Sequence, residues 1–230
     1  NGYIVGPDVD LSNADLSDTG LLRRADLNGA NLSNADLSNA DLRDTDLTGA
    51  DLTDADLTAN FPGGSGKTGL KSGSIIGNPV LPSNYTLING YIVGPDVNLT
   101  DADLSNADLT GADLSNVDLS GLKSGSVSGN PVLPSNYVLI NGYILGPNVN
   151  LSNADLTDVD LSNVDLSELK SGSVSGDPVL PSNYALINGY IVGPNVRLTD
   201  ADLTGADLSG TDLTYANLSN ADLTGADLSG

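Results

Sequence analysis

The chain of 230 residues contains no cysteine, histidine, methionine or tryptophan. It therefore has no disulfides, no thiol nucleophile, no histidine general base and none of the usual zinc ligands. It also has no apolar run approaching the roughly 20 residues of a membrane-spanning helix, and no signal-peptide pattern. We expect a protein that is not an enzyme, with no catalytic residue, no cofactor-binding residue and no metal ligand.

Basic residues are scarce, with 8 lysines and arginines against 30 acidic residues, and the formal net charge is −22. Nearly all of the acidic residues are aspartate, and Glu168 is the single glutamate. Such a surface repels the phosphates of nucleic acids and anionic membranes. We therefore expect no direct nucleic-acid binding and no membrane insertion, and no feature indicates a small-molecule substrate.

Leucine recurs at every fifth residue from Leu27 to Leu57, in the run ADLNGANLSNADLSNADLRDTDLTGADLTDADL. A small residue lies two positions before each leucine, Asp or Asn lies between them, and Ser or Thr usually follows. The pattern returns in 99–119, 151–166 and 198–228. A period of five matches neither the 3.6 residues of a helix nor the 2.0 of a strand. It predicts a solenoid that turns a corner every five residues, with turn-forming Asn, Asp and Gly at the corners.

This pattern resembles the pentapeptide-repeat family, in its cyanobacterial or cyanophage form. The resemblance implies an all-β fold, a right-handed quadrilateral β-helix with four pentapeptides in each coil and leucine at the central inward position. Neighbouring coils would lie about 4.8 Å apart, as strands do in a sheet. Each fully buried leucine would contribute about 1.5–3 kcal/mol to stability.

Two irregularities interrupt the rhythm. Leu21 is in step with Leu16, but the next leucine in phase is Leu27, so one residue is extra. The extra residue lies within the stretch DTGLLRR, and we expect a bulge near Leu22 to Arg24. Phe61 takes the central position of a final repeat and arrives one residue early.

A longer repeat lies between the pentapeptide runs. The spacer GLKSGSIIGNPVLPSNYTLINGYIVGPDV begins at Gly69, and near-copies begin at Gly121 and Glu168. Its Asn-Gly pair between apolar residues predicts a β-hairpin, and its two prolines predict an extended, irregular first half. Whether the spacers stack as coils or protrude stays open at this stage.

The spacing of the spacers supports the coil arrangement. Lys71, Lys123 and Lys170 are separated by 52 and then 47 residues, so the modules differ by one whole pentapeptide. The spacer tyrosines recur at the same spacing and are expected to pack the spacers against coil edges. A row of ligand-stacking rings is the alternative. The tyrosines are Tyr85, Tyr137 and Tyr184, and, after Asn-Gly, Tyr91, Tyr143 and Tyr190.

The predicted organisation is one elongated solenoid array over residues 1–230. Pentapeptide blocks occupy 1–61 (with a partial spacer at its start), 99–120, 151–168 and 198–230, and spacers occupy 62–98, 121–150 and 169–197. The chain begins with NGYIVGPDV, the tail of a spacer, and ends with ADLSG, which elsewhere leads into LKSGS. We therefore expect it to be an interval of a longer array without visible caps.

Two enzyme-like motifs do not fit their required context. The segment GGSGKTG at 63–69 resembles a phosphate-binding loop, but the first glycine position falls on Phe61 and no strand precedes it. Two short matches to the motifs of β-lactamases, Ser120-x-x-Lys123 and Lys67-Thr68-Gly69, lack the structural context that those motifs require. The Ser-x-x-Lys motif also recurs at 167–170. We interpret 59–68 as an inserted loop and both matches as chance.

Calcium is the remaining ligand to consider, because Asp8 and Asp10 resemble the Asp-x-Asp start of a calcium-binding loop. The glycine and terminal glutamate of an EF-hand loop are missing. In the predicted coil, the aspartates before the leucines point outward in columns, where each like-charged pair at about 4.8 Å costs roughly 0.9 kcal/mol before screening. We expect no cofactor and a diffuse stabilisation by salt or divalent cations, with weak Ca²⁺ binding left open.

The favoured function is a non-enzymatic structural module, a segment of a longer fibre, surface or virion/filament protein. It would self-assemble with copies of the same chain through solenoid ends and spacers, in an extracellular or virion-associated location. The first alternative is an acidic DNA mimic, since some pentapeptide-repeat proteins shield DNA gyrase in this way. The longest run here, however, is under three coils, or roughly 14 Å. A further alternative is a carbohydrate- or ice-binding face formed by the Ser and Thr residues that follow leucine.

Overall fold

The computed structural model describes residues 2–58 and 69–229, which form two compact units. The first unit comprises Asn1–Ala102, Ala107–Leu119 and Ser128–Pro134, and the second comprises Asp103–Asn106, Ser120–Val127 and Ser135–Gly230. Both are all-β, and the described residues include no helix long and apolar enough to cross a membrane.

Parallel backbone pairs between coils show that each coil has four sides. In the first unit Asp26 pairs with Asp46 and Asp36 with Asp56, and in the second Asp202 pairs with Asp222. The two residues of each pair are four pentapeptides apart, as expected for a right-handed quadrilateral β-helix. The paired residue always immediately precedes the central inward residue, and we call it the ladder position. The fold predicted from the sequence is confirmed.

The interior of each unit is a stack of leucines. Leu27, Leu32 and Leu37 are almost completely buried in the first unit, and Leu156, Leu161 and Leu203 in the second. Alanines two positions earlier fill the second inward position. At most corners the residue two positions after the leucine adopts a left-handed conformation, as in Asn34 with φ 57° and Gly49 with φ 72°. Asn, Asp and Gly tolerate this conformation better than other residues, which explains their recurrence there.

The irregularity near the start of the chain lies within the predicted stretch 18–24, but on the N-terminal side of Leu22 rather than at Leu22 to Arg24. The ladder pairs Asp10–Asn31 and Asp15–Asp36 are one residue further apart than four pentapeptides, as expected. Leu22 takes the central position with 1% of its surface exposed, whereas Leu21 is 76% exposed. The extra residue therefore precedes Leu22, because the chain returns to phase by turning Leu21 outward rather than by a bulge at 22–24.

Each spacer contains the predicted hairpin. The strands are β1 (Thr86–Ile88), β2 (Tyr91–Val93), β3 (Val138–Ile140), β4 (Tyr143–Leu145), β5 (Ala185–Ile187) and β6 (Tyr190–Val192). They pair antiparallel as β1–β2, β3–β4 and β5–β6. At the first turn Asn89 has φ 51° and Gly90 has φ 77°, the two positive values that a tight hairpin turn requires.

The first half of a spacer is a coil, which answers the question that the sequence left open. In the first unit Lys71, Ile76 and Val80 stand at ladder positions and pair with Asp46, Asp51 and Asp56 of the preceding coil. In the second unit Lys170, Ser175 and Val179 pair with Asn150, Asp155 and Asp160. The spacer therefore supplies three sides of a coil, including the proline-containing stretch expected to be irregular.

The hairpin fills space that this coil leaves empty. The central positions of the first two sides hold Ser72 and Gly77 instead of leucine, and a Cβ on Gly77 would lie 2.4 Å from the Thr53 Cα. Ile92 of β2 is fully buried in the same cluster as the leucines, and its N–H donates to the Ser72 Oγ at 2.9 Å. The hairpin is thus folded into the core.

Among the described residues, only the first side of a spacer coil pairs directly with the coil that follows. Lys71 pairs with Asn98 and Lys170 with Arg197, in each case beyond the hairpin. On the second side, the Asp202 N–H donates instead to the Tyr190 hydroxyl at 3.1 Å. The hairpin makes a spacer coil longer than a plain coil, as the pairs Lys123–Asn150 and Asn150–Lys170 show. One spacer coil and one plain coil together bring the chain back to the same side after 47 residues, the separation of Lys123 from Lys170.

Candidate functional site

The outer surface of the coils was expected to present solvated columns of aspartate, but most of these side chains also close a local turn. The Asp36 Oδ1 accepts the Ser38 N–H at 2.9 Å, and the Asp51 Oδ1 accepts the Thr53 N–H at 2.9 Å. The same contact recurs along both units, for example from Ser209 to Asp207. Aspartate is thus part of the fold as well as of the charged surface, a role typical of Asx turns.

These contacts extend the ionisation of the carboxylates to lower pH. The pKa of Asp36 lies below its ordinary value because the Ser38 hydroxyl and N–H donate to the charged form. Thr53 lowers the pKa of Asp51 in the same way. The Arg43 guanidinium lowers the pKa of Asp41 to about 2, with Nη2 at 2.5 Å from the carboxylate. These carboxylates therefore remain negative at pH values where an ordinary aspartate begins to protonate.

Several of the hydroxyl groups that suggested a carbohydrate- or ice-binding face donate hydrogen bonds within the chain. The Ser38 Oγ donates to Asp36 at 2.6 Å, and the Thr53 Oγ1 donates to Asp51 at 2.6 Å. A hydroxyl whose proton points at its own neighbour has less capacity to organise a ligand. This arrangement weakens the case for a flat hydroxyl face.

Two lysines of the ladder neutralise aspartates of the columns, and one arginine of the ladder contacts neutral groups. The Lys71 Nζ lies 3.2 Å from Asp46 in the first unit, and the Lys123 Nζ lies 3.3 Å from Asp103 in the second. Arg197 donates through Nε to the Glu168 carbonyl at 2.9 Å and through Nη2 to the Asn148 side chain. Lys123, the candidate of the β-lactamase-like motif, is therefore held in an ion pair within a repeated ladder.

The spacer tyrosines pack as predicted. The hydroxyls of Tyr85 and Tyr184 donate to the carbonyls of Pro95 and Pro194 at 2.9 and 3.1 Å. A Cβ on Gly94 would lie 2.3 Å from the Tyr85 ring, so the glycine allows this close contact. Burial first, and then the charge of Asp96, raise the pKa of Tyr85 to about 12. These rings stabilise the fold and do not form an open stacking row.

A groove in the first unit is a concave surface that sequence reasoning missed. It has a volume of about 340 Å³ and lies between the spacer segment that leads into β1 and the following coil. Ile88, Val93 and Ala112 contribute apolar walls, and Thr86 and Asp108 contribute polar ones. The only sequence signal for this groove is that Ser72 and Gly77 stand at central positions where a plain coil has leucine. These two residues mark the spacer coil, after which the hairpin separates two coils.

The other candidate residues are not brought together in a reactive arrangement. The Asp10 Oδ1 accepts the Ser12 N–H at 3.0 Å, so this carboxylate closes a turn. The phosphate-loop candidate at 63–68 and Phe61 lie outside the described residues. Over 2–58 and 69–229, no group of three or more acidic residues is placed to hold a metal ion.

Comparison with known proteins agrees with the repeat. The family model described as pentapeptide repeats matches in 8 copies, over residues 21–58, 95–122, 147–168 and 195–230, which together make up more than half of the chain. Comparison with curated protein sequences finds no match.

Among solved structures, the chain is similar to HetL, a pentapeptide repeat protein involved in heterocyst differentiation regulation from the cyanobacterium Nostoc sp. strain PCC 7120. The two are 25% identical over 98% of this chain and 91% of HetL, with a TM-score of 0.23. QnrB1, a plasmid-mediated fluoroquinolone resistance protein, is 16% identical over 97% of this chain and 91% of its own, with a TM-score of 0.24. Neither similarity carries an argument about function. The extent of the family match and the four-sided coils together show that the chain belongs to the pentapeptide-repeat family.

Proposed function

We propose that the chain is a non-enzymatic structural scaffold, a segment of a longer fibre, surface or virion/filament protein. The observation that carries this proposal is the ladder column of the second unit, which runs through Lys123, Asn150, Lys170, Arg197 and Asn217. Successive residues of this column are separated alternately by a spacer coil, which its hairpin lengthens, and by a plain coil of four pentapeptides. A module of one spacer coil and one plain coil therefore returns the chain to the same side. A structure of this kind can be lengthened by whole modules without disturbing the register of its core.

The local use of the polar side chains also supports a scaffold. Carboxylates such as Asp36 close turns, hydroxyls such as Ser38 donate to those carboxylates, and tyrosines such as Tyr85 tie the spacer to the coil. An enzyme needs a nucleophile, a base or a preorganised donor aimed at a reacting atom. Here the polar groups serve the repeat, and each repeats along the chain.

Electron microscopy of the native material at low protein concentration tests the proposal. We expect filaments or surface arrays with an axial repeat that corresponds to one module of a spacer coil and a plain coil. Discrete, monodisperse particles at all concentrations would overturn the fibre proposal. In that case inhibition of gyrase supercoiling becomes the next assay, since it tests the DNA-mimic alternative directly.

The proposal includes an extracellular or virion-associated location, in agreement with an assembly role. Immunogold labelling of producing cells and of purified particles tests it. Label on fibres, cell surfaces or virions is the expected result. Label dispersed through the cytoplasm would contradict this part of the proposal without affecting the microscopy of the assemblies.

A further inference from the structure

Among the described residues, two backbone N–H groups have no protein acceptor where the third side of the first spacer faces the coil that follows. In a plain coil, the ladder N–H donates to the preceding coil and the ladder carbonyl accepts from it, as Asp56 does with Ala35 (2.9 Å) and Leu37 (2.8 Å). Where the first spacer meets the coil that follows, the N–H of Asp108 corresponds to that of Asp56, and the N–H of Leu81 corresponds to that of Leu37. Within the described part of the chain, neither N–H donates to a protein group.

The same interruption recurs in the second unit. Val179 on the third side of its spacer coil pairs with Asp160 before it, whereas Asp207 of the following coil pairs with Asp227 after it. Among the described residues, the N–H groups of Leu180 and Asp207 have no protein acceptor. The open ladder is therefore a property of the spacer and not of one copy.

In the first unit the groove of about 340 Å³ adjoins this interruption, because its lining includes Asp108 and begins at Ser83, two residues after Leu81. Asp108 lines the groove on one side, and Tyr85, Thr86 and Ile88 line it on the other. Val93 and Ala112 also line the groove but are almost completely buried, so Ile88 supplies most of its accessible apolar surface. One side of a coil has five residues, which corresponds to an extended strand of about 16 Å.

We propose that this groove binds an extended, basic segment of a partner protein, which adds a β-strand between Leu81 and Asp108. An added strand supplies the missing acceptors and donors, as in other cases of strand addition to an open sheet edge. Alternate side chains of the segment would face the apolar wall at Ile88 and Val93, and the others would face solvent. This inference does not depend on filament formation.

The charge of the groove favours a basic segment as its ligand. The groove is lined by Asp108 and by no lysine or arginine among the described residues, on a chain with a net charge of −22. A second copy of the chain would bring its own ladder aspartates, such as Asp36 or Asp51, against Asp108, and like charges at strand spacing repel. A segment that alternates basic and apolar residues has the complementary pattern.

The test uses the whole chain and a five-residue peptide of alternating lysine and valine with blocked ends. Residue-resolved amide exchange is measured by NMR at physiological salt. We expect saturable slowing of exchange at the Asp108 and Leu81 N–H groups by about tenfold or more. A peptide of the same sequence and charge, N-methylated along one strand edge, should give no slowing.

Three variants separate strand addition from general attraction to an acidic protein. Asp108→Asn should weaken peptide binding about two- to fivefold, as expected for an exposed charge pair. Asp36→Asn removes an equivalent ladder charge away from the groove and should leave binding at the groove unchanged. Thr86→Lys places a cation in the groove and should abolish binding, and this position is Val138 and Ala185 in the other spacers.

Several results would overturn the proposal. Equal slowing by the N-methylated peptide, or equal losses in Asp108→Asn and Asp36→Asn, would show only non-specific binding to a polyanion. Strong protection of the Asp108 N–H in the free chain would mean that the chain itself covers the groove. Protection that grows with protein concentration would mean that a second copy covers it.

Discussion

The backbone N–H of Ile92 donates to the Oγ of Ser72, which occupies the central position that leucine holds in a plain coil. The same pair recurs as Ile144 with Ser124 and as Ile191 with Ser171, each at 2.9 Å. All three serines are buried. The serine both leaves room for the hairpin and satisfies a backbone donor that the hairpin brings into the core.

Replacing one of these serines should therefore destabilise the fold. Ser171→Ala leaves the buried Ile191 N–H without an acceptor and should lower the free energy of unfolding by about 1–3 kcal/mol. Ser171→Leu restores the family pattern but should cost as much or more, because the position already contacts Ile191. Denaturant unfolding of both variants checks this, with the exposed Ser175→Ala as the control. A stabilised Ser171→Leu variant would contradict the account of the hairpin as a core element.

The pair Leu21 and Leu22 tests the corrected position of the extra residue. Leu22→Ala should lower the free energy of unfolding by about 2–5 kcal/mol, because it empties a buried central position. Leu21→Ala should change it by less than about 0.5 kcal/mol, since that side chain is 76% exposed. Thermal or urea unfolding of the two variants provides the measurement. The opposite ranking would restore the bulge at 22–24.

The sequence was sufficient to predict the four-sided coil, because the five-residue period determines both which residue turns the corner and which residue points inward. Leu32 and Asn34 illustrate this: one is buried, and the other turns the chain with φ 57°. The Asn-Gly signal was equally reliable for β1 and β2. What the sequence did not indicate was that the spacer is itself a coil, because Ser72 and Gly77 hide the pattern when leucine is the marker. The groove could not be predicted, since it depends on where the hairpin separates two coils.

Acid should destabilise the protein. The pKa values of Asp36 and Asp51 are lowered by Ser38 and Thr53, and that of Asp41 falls to about 2 beside Arg43. A lowered folded-state pKa contributes stability that is complete above the unfolded value of about 3.9 and is lost as the pH falls through the folded value. We expect the urea midpoint to decrease between about pH 4 and pH 2.

The variant Asp41→Asn isolates one of these contributions. Asparagine can still accept the Arg43 N–H, but it does not titrate, so the variant should lose less stability than the parent between those two pH values. An increase in stability on acidification of the parent protein would show that relief of charge repulsion outweighs the local hydrogen bonds. That result would contradict the prediction.

Salt should stabilise the protein at neutral pH. The column Asp15, Asp36 and Asp56 places like charges on successive coils, where a pair at about 4.8 Å costs roughly 0.9 kcal/mol before screening. Raising NaCl from about 0.05 M to about 0.5 M should raise the melting temperature, because the Debye length falls below the spacing of distant charges. Asp36→Asn should reduce this dependence. CaCl₂ and MgCl₂ at equal ionic strength should act alike if the effect is diffuse, whereas a larger shift with calcium alone would indicate specific sites.

Insertion of a complete module should be tolerated. Residues 151–197 span the 47 residues that return a ladder column to its own side, so a duplicate placed after Arg197 meets Leu198 in phase. The lengthened protein should retain its circular dichroism spectrum and melt no lower than the parent, because every leucine keeps its inward position. The matched control is the same insertion shortened by three residues, which moves the downstream leucines out of phase and exposes them. Equal stability of the two lengthened proteins would mean that the units do not require whole-side register, and the scaffold proposal would lose its main support.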